Sequence, residues 1–273
     1  MVTATYPVTP TVSTVKGTLL QAATVTDDFA WLNGEGLFDS YNTMEFGYAP
    51  VFCGPNTKTF DQSSVWIDGF QFGAYGGLVC KAPGLDLQRR NSEARRVFEA
   101  GESTAVERAL IETRFRADAD TDADGNPDRW DAPTDLTPVA GPVKPNVGVA
   151  LLEGWMASHY VGDPTLHIPR TVASLMLGVS GAEFEGNVLR TRLGAKVAAG
   201  AGYEWPNYGP DGTEPAAGEL WLYATGEVWI GRSDTVIRDG FNQSNNDALL
   251  LVERGYIAAV DGPTAAVRVS VTA

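Results

Sequence analysis

Cysteine is scarce in this sequence: two residues among 273 cannot staple a chain of this size, which excludes the disulfide-dense architecture of small secreted domains. Histidine is equally scarce. His159 and His167 have no His/Cys partner cluster and no nucleophile motif beside them, so neither is assigned to metal or catalysis. No apolar run reaches the eighteen or so residues that a membrane span requires. The opening "MVTATYPVTP" has no basic n-region and no apolar h-region, so no signal peptide is expected, and a soluble chain made in the cytoplasm is the default. Basic residues are in deficit: 20 Lys and Arg against 34 Asp and Glu leave a net charge of −14. Such a chain repels phosphates of its own sign and is not a nucleic-acid-binding protein by charge. P-loop, G-x-S-x-G and HExxH motifs are absent. The glycine-rich "GAGYEW" at 200–205 lacks the strand and helix that a dinucleotide fingerprint needs, and it is read as a β-turn. Nothing in the sequence supports an enzyme.

What is present is globular: 44% hydrophobic residues, with 30 glycines and 16 prolines that point to many turns and strands. The length suits one large domain or two small ones sharing a core. Residues 1–36 are rich in Thr, Val and Pro without periodicity and read as an extended arm, ordered only where it lies along something else. Two strand-like stretches, "YNTMEFGYAPVFC" and "SVWIDGFQFGAYGGLVCKA", flank the polar "GPNTKTFDQS" and suggest a long β-hairpin. Cys53 and Cys80 lie on its two sides and are read as buried, reduced thiols.

Helical spacing then runs from Leu87 to Phe115 behind a candidate N-cap, Asp86. Ala94, Val97, Phe98, Ala105, Ala109 and Ile111 form the apolar side. Arg89, Arg90, Arg95, Arg96, Glu99, Glu102, Glu107 and Arg108 cover the other. Gly101 interrupts the pattern, which predicts a close packing partner or a bend there. A helix of this length spans about 40 Å, a beam laid across a sheet. Later, Pro145 heads a second helix ending at His159, where a cationic ring suits the dipole. "TLHIPRTVASLMLG" reads as a strand, with His167 in it, leading into a helix. The last third is strand after strand: "LWLYATGEVWIG", "DTVIRD", "DALLLVERGYIAAV" and "TAAVRVSV".

Between the two long helices stands "DTDADGNPDRWD". Asp120, Asp122, Asp124, Asn126, Asp128 and Asp131 occupy positions one, three, five, seven, nine and twelve of a calcium loop, with Gly125 at six. Asp131 stands where a longer glutamate usually closes the ring, which weakens the site. Pro127 has no N–H to pair with a partner loop, so a paired sensor hand is excluded. The "DGxPD" core resembles a thrombospondin type-3 repeat. The alternative is a solvated acidic insertion with no ion. Calcium, where bound, pins a loop and drives no chemistry.

The order of these parts resembles the major capsid proteins of tailed bacteriophages, the Hong Kong ninety-seven type. The matching pieces are the arm, the hairpin, the long helix, "PNVGVALLEGWMASHY" through "LRTRLGAKVAAGAGYEWP", the "LYATGEVWI" stretch, and the closing "LLLVERGYIAAVDGPTAAVRVSV". The resemblance implies an α+β fold. It assigns an N-terminal arm to 1–36, an extended β-hairpin loop to 37–84, and a peripheral domain with spine helix and acidic loop to 85–135. An axial domain takes 136–219, and the return strands of the peripheral domain take 220–273. It implies a homo-oligomeric shell of pentamers and hexamers in the virion, assembled in a bacterial cytoplasm around double-stranded DNA without sequence-specific contacts. Separate scaffolding, portal and decoration proteins are the implied partners, because the chain has no room for a scaffolding segment. An isopeptide bond joins a hairpin lysine to an asparagine in some members; Lys58 and Asn242, Asn245 and Asn246 are the residues available here. Two other readings stay open from the sequence: an encapsulin-type compartment of the same fold, and a monomeric calcium-binding β-rich module of a different class.

Overall fold

The structure, a computed structural model, describes residues 15–27, 37–40, 65–80, 87–113, 115, 133–176, 182–242 and 247–272; of these, the side chains of 37–40, 65–68, 80, 87–90, 242, 247 and 248 are outside the description. The chain begins with α1 (Leu19–Ala22), β1 (Thr24–Thr26), β2 (Leu37–Ser40), β3 (Val65–Asp68) and β4 (Phe70–Cys80). The long helix α2 (Leu87–Thr113) follows, then β5 (Thr134–Asp135), α3 (Pro145–His159), β6 (Thr165–Pro169) and α4 (Arg170–Met176). Short strands β7 (Glu183–Glu185), β8 (Val188–Arg190) and β9 (Lys196–Gly200) lead into a 3-10 turn, Ala201–Tyr203. The chain closes through β10 (Glu219–Thr225), β11 (Val228–Arg232), β12 (Val236–Asn242), β13 (Asp247–Val260) and β14 (Ala265–Ser270).

Two sheets carry the molecule. In the five-stranded one, β13 is central. β4 pairs along one side of it from Ala248↔Cys80 to Ala258↔Phe70. On the other side β12 covers its first half and β11 its second, with β1 parallel to β11. The seven-stranded sheet runs β5-β14-β10-β6-β9-β8-β7. The closing segments therefore divide: β11, β12 and β13 belong to the first sheet, while β10 and β14 pair with each other beside β6 in the second. β2 and β3 pair antiparallel, Leu37↔Asp68 to Ser40↔Val65; β3 falls within the second predicted strand of the hairpin, and β2 precedes the first. The predicted strand at 41–53, its turn and Cys53 lie outside the described residues, as does the side chain of Cys80.

The predicted long helix is present, and Ala94, Phe98 and Ile111 of its predicted apolar side are buried, but so are Glu102 and Glu107 from the predicted polar side. Ala94, Phe98, Glu102, Val106 and Leu110, spaced by four, are buried together with Glu107 and Ile111, whereas Val97 is 40% exposed. The row at four-residue spacing lies against β4 and β13, where Gly76 gives room for Phe98. Gly101 has neither partner nor bend: an added Cβ would meet nothing within 4 Å, and the helix runs through it.

The two short chain crossings between the sheets, β10 to β11 and β13 to β14, pass one aromatic ring. Tyr160, the C-cap of α3, lies where Cβ atoms on Gly162, Gly226 or Gly262 would each come within 2.7 Å of its ring or hydroxyl atoms. Its hydroxyl donates to Asp261 Oδ2 at 2.9 Å and accepts from the Glu227 amide at 3.2 Å. The two crossings are tied directly by Gly226 N to Asp261 O (2.9 Å) and Asp261 N to Glu227 O (2.8 Å). Burial and the neighbouring carboxylates push the Tyr160 phenol well above its usual range.

Candidate assembly surfaces and buried polar centres

The sequence-predicted metal residues Asp120, Asp122, Asp124, Asn126, Asp128 and Asp131 lie outside the described residues. So do Lys58, Asn245 and Asn246, and the side chain of Asn242 at the end of β12. Among the described residues, no group of three or more His, Cys, Asp or Glu is placed to hold a metal ion. His159 ends α3 as predicted, with its ring stacked on Trp155 at 4.3 Å and Nδ1 2.8 Å from the Trp155 carbonyl oxygen. His167 sits in β6 as predicted and is a core residue, 1% exposed. Its Nδ1 is 2.9 Å from Tyr203 Oη and its Nε2 2.9 Å from Thr225 Oγ1. Thr225 spends its own hydroxyl proton on the Gly226 carbonyl at 3.0 Å. The Nε2 proton therefore belongs to the histidine, and Tyr203 donates to Nδ1. Burial drives the His167 pKa down to about 3, so the ring is neutral.

Two carboxylates that the helical pattern assigns to solvent turn out to organise the interior. Glu107, 1% exposed, lies beneath the N-terminal segment. Its Oε1 accepts from the Leu19 amide and from Ser103 Oγ, both at 3.1 Å, and its Oε2 accepts from the Gly202 amide at 3.0 Å. One side chain thus holds the first turn of α1 and the turn after β9 against α2. Burial raises its pKa, while these three donors and the charge of Arg170 pull it down. The glycines of "GAGYEW" are explained here. A Cβ on Gly200 would overlap the Glu107 carboxylate, and one on Gly202 would lie 2.4 Å from the Thr104 carbonyl oxygen. The segment is a strand end and a 3-10 turn pressed onto a helix, not the β-turn expected. Glu102 takes Arg254 Nη1 at 2.5 Å and the hydroxyl of Tyr256, with Arg232 Nη1 at 3.9 Å. Arg232 in turn bonds Asp27 at 2.5 Å, which holds the Asp27 carboxyl below its usual range.

Residues 15–27 touch both sheets. The Ala199 amide donates to the Gly17 carbonyl (2.6 Å), Arg170 Nη1 reaches the Lys16 carbonyl (3.1 Å), and β1 adds to β11. A cleft of about 360 Å³ remains between this segment and α2, with Arg96, Glu99 and Arg232 in its walls. The face of the five-stranded sheet opposite α2 is apolar and open where β12 and β4 flank the first half of β13, and closed further along, where Ile257 and Ala259 are buried. Tyr75 (76% exposed), Val79, Val236 and Leu249 share it by register, around the Arg238–Glu253 ion pair. Gly77 and Gly240 leave a groove of about 450 Å³ there. An exposed apolar face of this kind marks an interaction surface.

No protein-family model matches the sequence, and no curated protein matches it. Solved structures do. The capsid of Ralstonia phage GP4 superimposes over 99% of this chain and 96% of its own, with a TM-score of 0.54 at 8% identity. A chain of Microbacterium phage Oxtober96 gives 0.54 at 12% identity over 98% and 95%, and one of Gordonia phage Cozz 0.51 at 14% over 100% and 92%. The α+β fold is that of the phage capsid proteins, as the order of elements in the sequence implied.

Proposed function

We propose that this chain is a structural shell protein, the major capsid protein of a tailed phage or prophage, assembling as pentamers and hexamers into an icosahedral head around double-stranded DNA. The observation that carries this reading is a whole-chain likeness: the fold match spans 99% of this chain and 96% of the phage capsid chain, without a large unmatched remainder on either side. The physical features agree. A charge of −14 suits a wall that must not hold an incoming polyanion. The open apolar sheet face suits burial between neighbouring copies in a ring of heterologous contacts. The role is structural, not catalytic. In this reading the five-stranded sheet with α2 is the peripheral domain, to which the arm lends β1 and the extended loop β4; the seven-stranded sheet with α3 and α4 is the axial domain, which takes β10 and β14 out of the stretch 220–273 expected in the peripheral one. Residues 1–36 are the arm and 37–84 the extended loop. Scaffolding, portal and decoration proteins are separate partners, and the site of action is the virion, assembled in bacterial cytoplasm. The three neighbours named above are phage structures, which weighs towards a virus over an encapsulin-type compartment.

The acidic loop Asp120–Asp131 is proposed to hold calcium as a stiffener of the shell. The test is size-exclusion chromatography with negative-stain microscopy of the full chain, in calcium and in chelator. Rings, tubes or closed shells support the capsid reading, and their loss in chelator assigns the loop its structural role. A fully folded monomer with a protected arm in both conditions overturns the shell reading.

A further inference from the structure

The contact of the Leu19 amide on Glu107 and the sheet crossing are joined by a series of buried polar contacts, carried through the backbone at two points, Gly202–Tyr203 and Gly226. It starts at the Leu19 amide on Glu107 Oε1 (3.1 Å) and crosses the carboxylate to the Gly202 amide (3.0 Å). One residue on, Tyr203 donates its hydroxyl to His167 Nδ1 (2.9 Å), and His167 Nε2–H reaches Thr225 Oγ1 (2.9 Å). Thr225 donates to the Gly226 carbonyl (3.0 Å), and the Gly226 amide closes onto Asp261 O (2.9 Å) beside Tyr160. Every side chain in the series is buried: Glu107 and Tyr203 are 1% exposed, His167 1% and Thr225 0%. The donor directions are fixed along the stretch from Tyr203 to Gly226. A neutral histidine with one proton can serve both neighbours in only one tautomer. Turning the Tyr203 hydroxyl away or moving Thr225 therefore strands a buried donor or acceptor, and the neighbours must adjust or lose a bond.

We infer that this series couples the two ends: docking of residues 17–23 on Glu107 and closure of the Gly226–Asp261 crossing between the sheets stabilise one another. The arm then acts as a strap whose release loosens the junction at Tyr160, and a disturbance at the junction loosens the strap. This concerns the conformations of the chain itself and stands whether or not the chain forms a shell.

The experiment is hydrogen–deuterium exchange of the full-length chain, read on peptides covering residues 15–27 and on those covering the crossings. Thr225→Val keeps shape and removes the hydroxyl, far from the arm. Tyr203→Phe keeps the ring and removes the donor to His167. Each is expected to speed exchange of the arm amides roughly fivefold, the factor one neutral buried hydrogen bond carries. Thr165→Val is the control. Thr165 pairs with Thr225 in register and is fully buried, but its hydroxyl has no bonding partner, so the same chemical deletion there leaves the arm unchanged. Unchanged arm exchange in both Thr225→Val and Tyr203→Phe overturns the inference. So does equal acceleration across all strands, which reports lost global stability instead of coupling, and so does an arm response to Thr165→Val of the same size.

Discussion

Gly101 and Gly202 both face α2, one from within it and one from the turn packed upon it, and adding the same methyl group to each has opposite consequences. At Gly101 the added carbon meets nothing within 4 Å, and the position is exposed in a regular helix. Alanine there recovers the helix propensity that glycine forgoes, about 1 kcal/mol, which for a chain of this size raises Tm by roughly 2–4 °C. At Gly202 the carbon would sit 2.4 Å from Thr104 O, 2.5 Å from Glu107 Cβ and 2.9 Å from Arg108 N. Two of these three are backbone atoms of α2 and cannot rotate aside. Either the turn lifts off the helix or the Gly202 N–H to Glu107 bond breaks. Overpacking costs about 1–3 kcal/mol and a stranded buried donor about 1–3 more, so a loss of about 2–6 kcal/mol is expected. The assay is urea unfolding at one fixed protein concentration, because self-association adds to apparent stability. A neutral Gly202→Ala, or a destabilising Gly101→Ala, refutes the packing described for this helix.

Glu107→Ala strands the Leu19 and Gly202 amides, each worth about 1–3 kcal/mol; trypsin cleavage after Lys16 is expected to accelerate, and an unchanged rate counts against the latch. His167 has a folded pKa of about 3 against 6.5 unfolded, so between those values the unfolded chain binds the extra proton. Stability from this residue is complete above about pH 6.5 and falls as the pH drops towards 3, by roughly 1.4 kcal/mol per unit. His167→Gln is expected to flatten that acid limb in pH-dependent urea unfolding; an unaltered slope would sink the assignment. Calcium is expected to raise the Tm of the full chain in proportion to the logarithm of its concentration above the Kd, and Asp122→Asn with Asp124→Asn to abolish the rise. A flat titration of the unmutated chain removes calcium from the loop.

Much of the fold was legible because its elements are long or sharply punctuated. The 27-residue α2, the proline-headed α3 and the closing strands fall where periodicity placed them. The inner face of α2 did so only in part. Glu102 and Glu107 look like solvent residues because a carboxylate's usual place is water, and nothing nearby in sequence reveals their partners. Those partners are Leu19, Gly202, Arg254 and Tyr256, between 88 and 154 positions away by residue number. A local pattern reports propensity; it cannot report which distant backbone amides will need an acceptor. The one signal available was the pair Gly200 and Gly202, two glycines spaced across a strand end without a turn's need for both, which marks close approach by another element. "LWLYATGEVWIG" reads as one strand and is two, in different sheets. Gly226 makes the break, because a Cβ there would lie 2.4 Å from Asp261 O. His167 was correctly placed in a strand, and its role as a neutral link between Tyr203 and Thr225 depends on tertiary neighbours alone.

The central position of β13 sets a clock on synthesis. β4 is made early, yet its partner is Asp247–Val260; β1 waits for β11, and β5 waits for β14, whose last residue is Ser270. At 5–20 residues per second, β4 emerges roughly ten to thirty seconds before its partner strand exists. Neither sheet can close before Asp247–Ser270 has been made, since β13 belongs to one and β14 to the other. A chain stopped short of that stretch lacks the central strand on which the five-stranded sheet is built. Emergence of β13 and β14 is thus a checkpoint written into the topology.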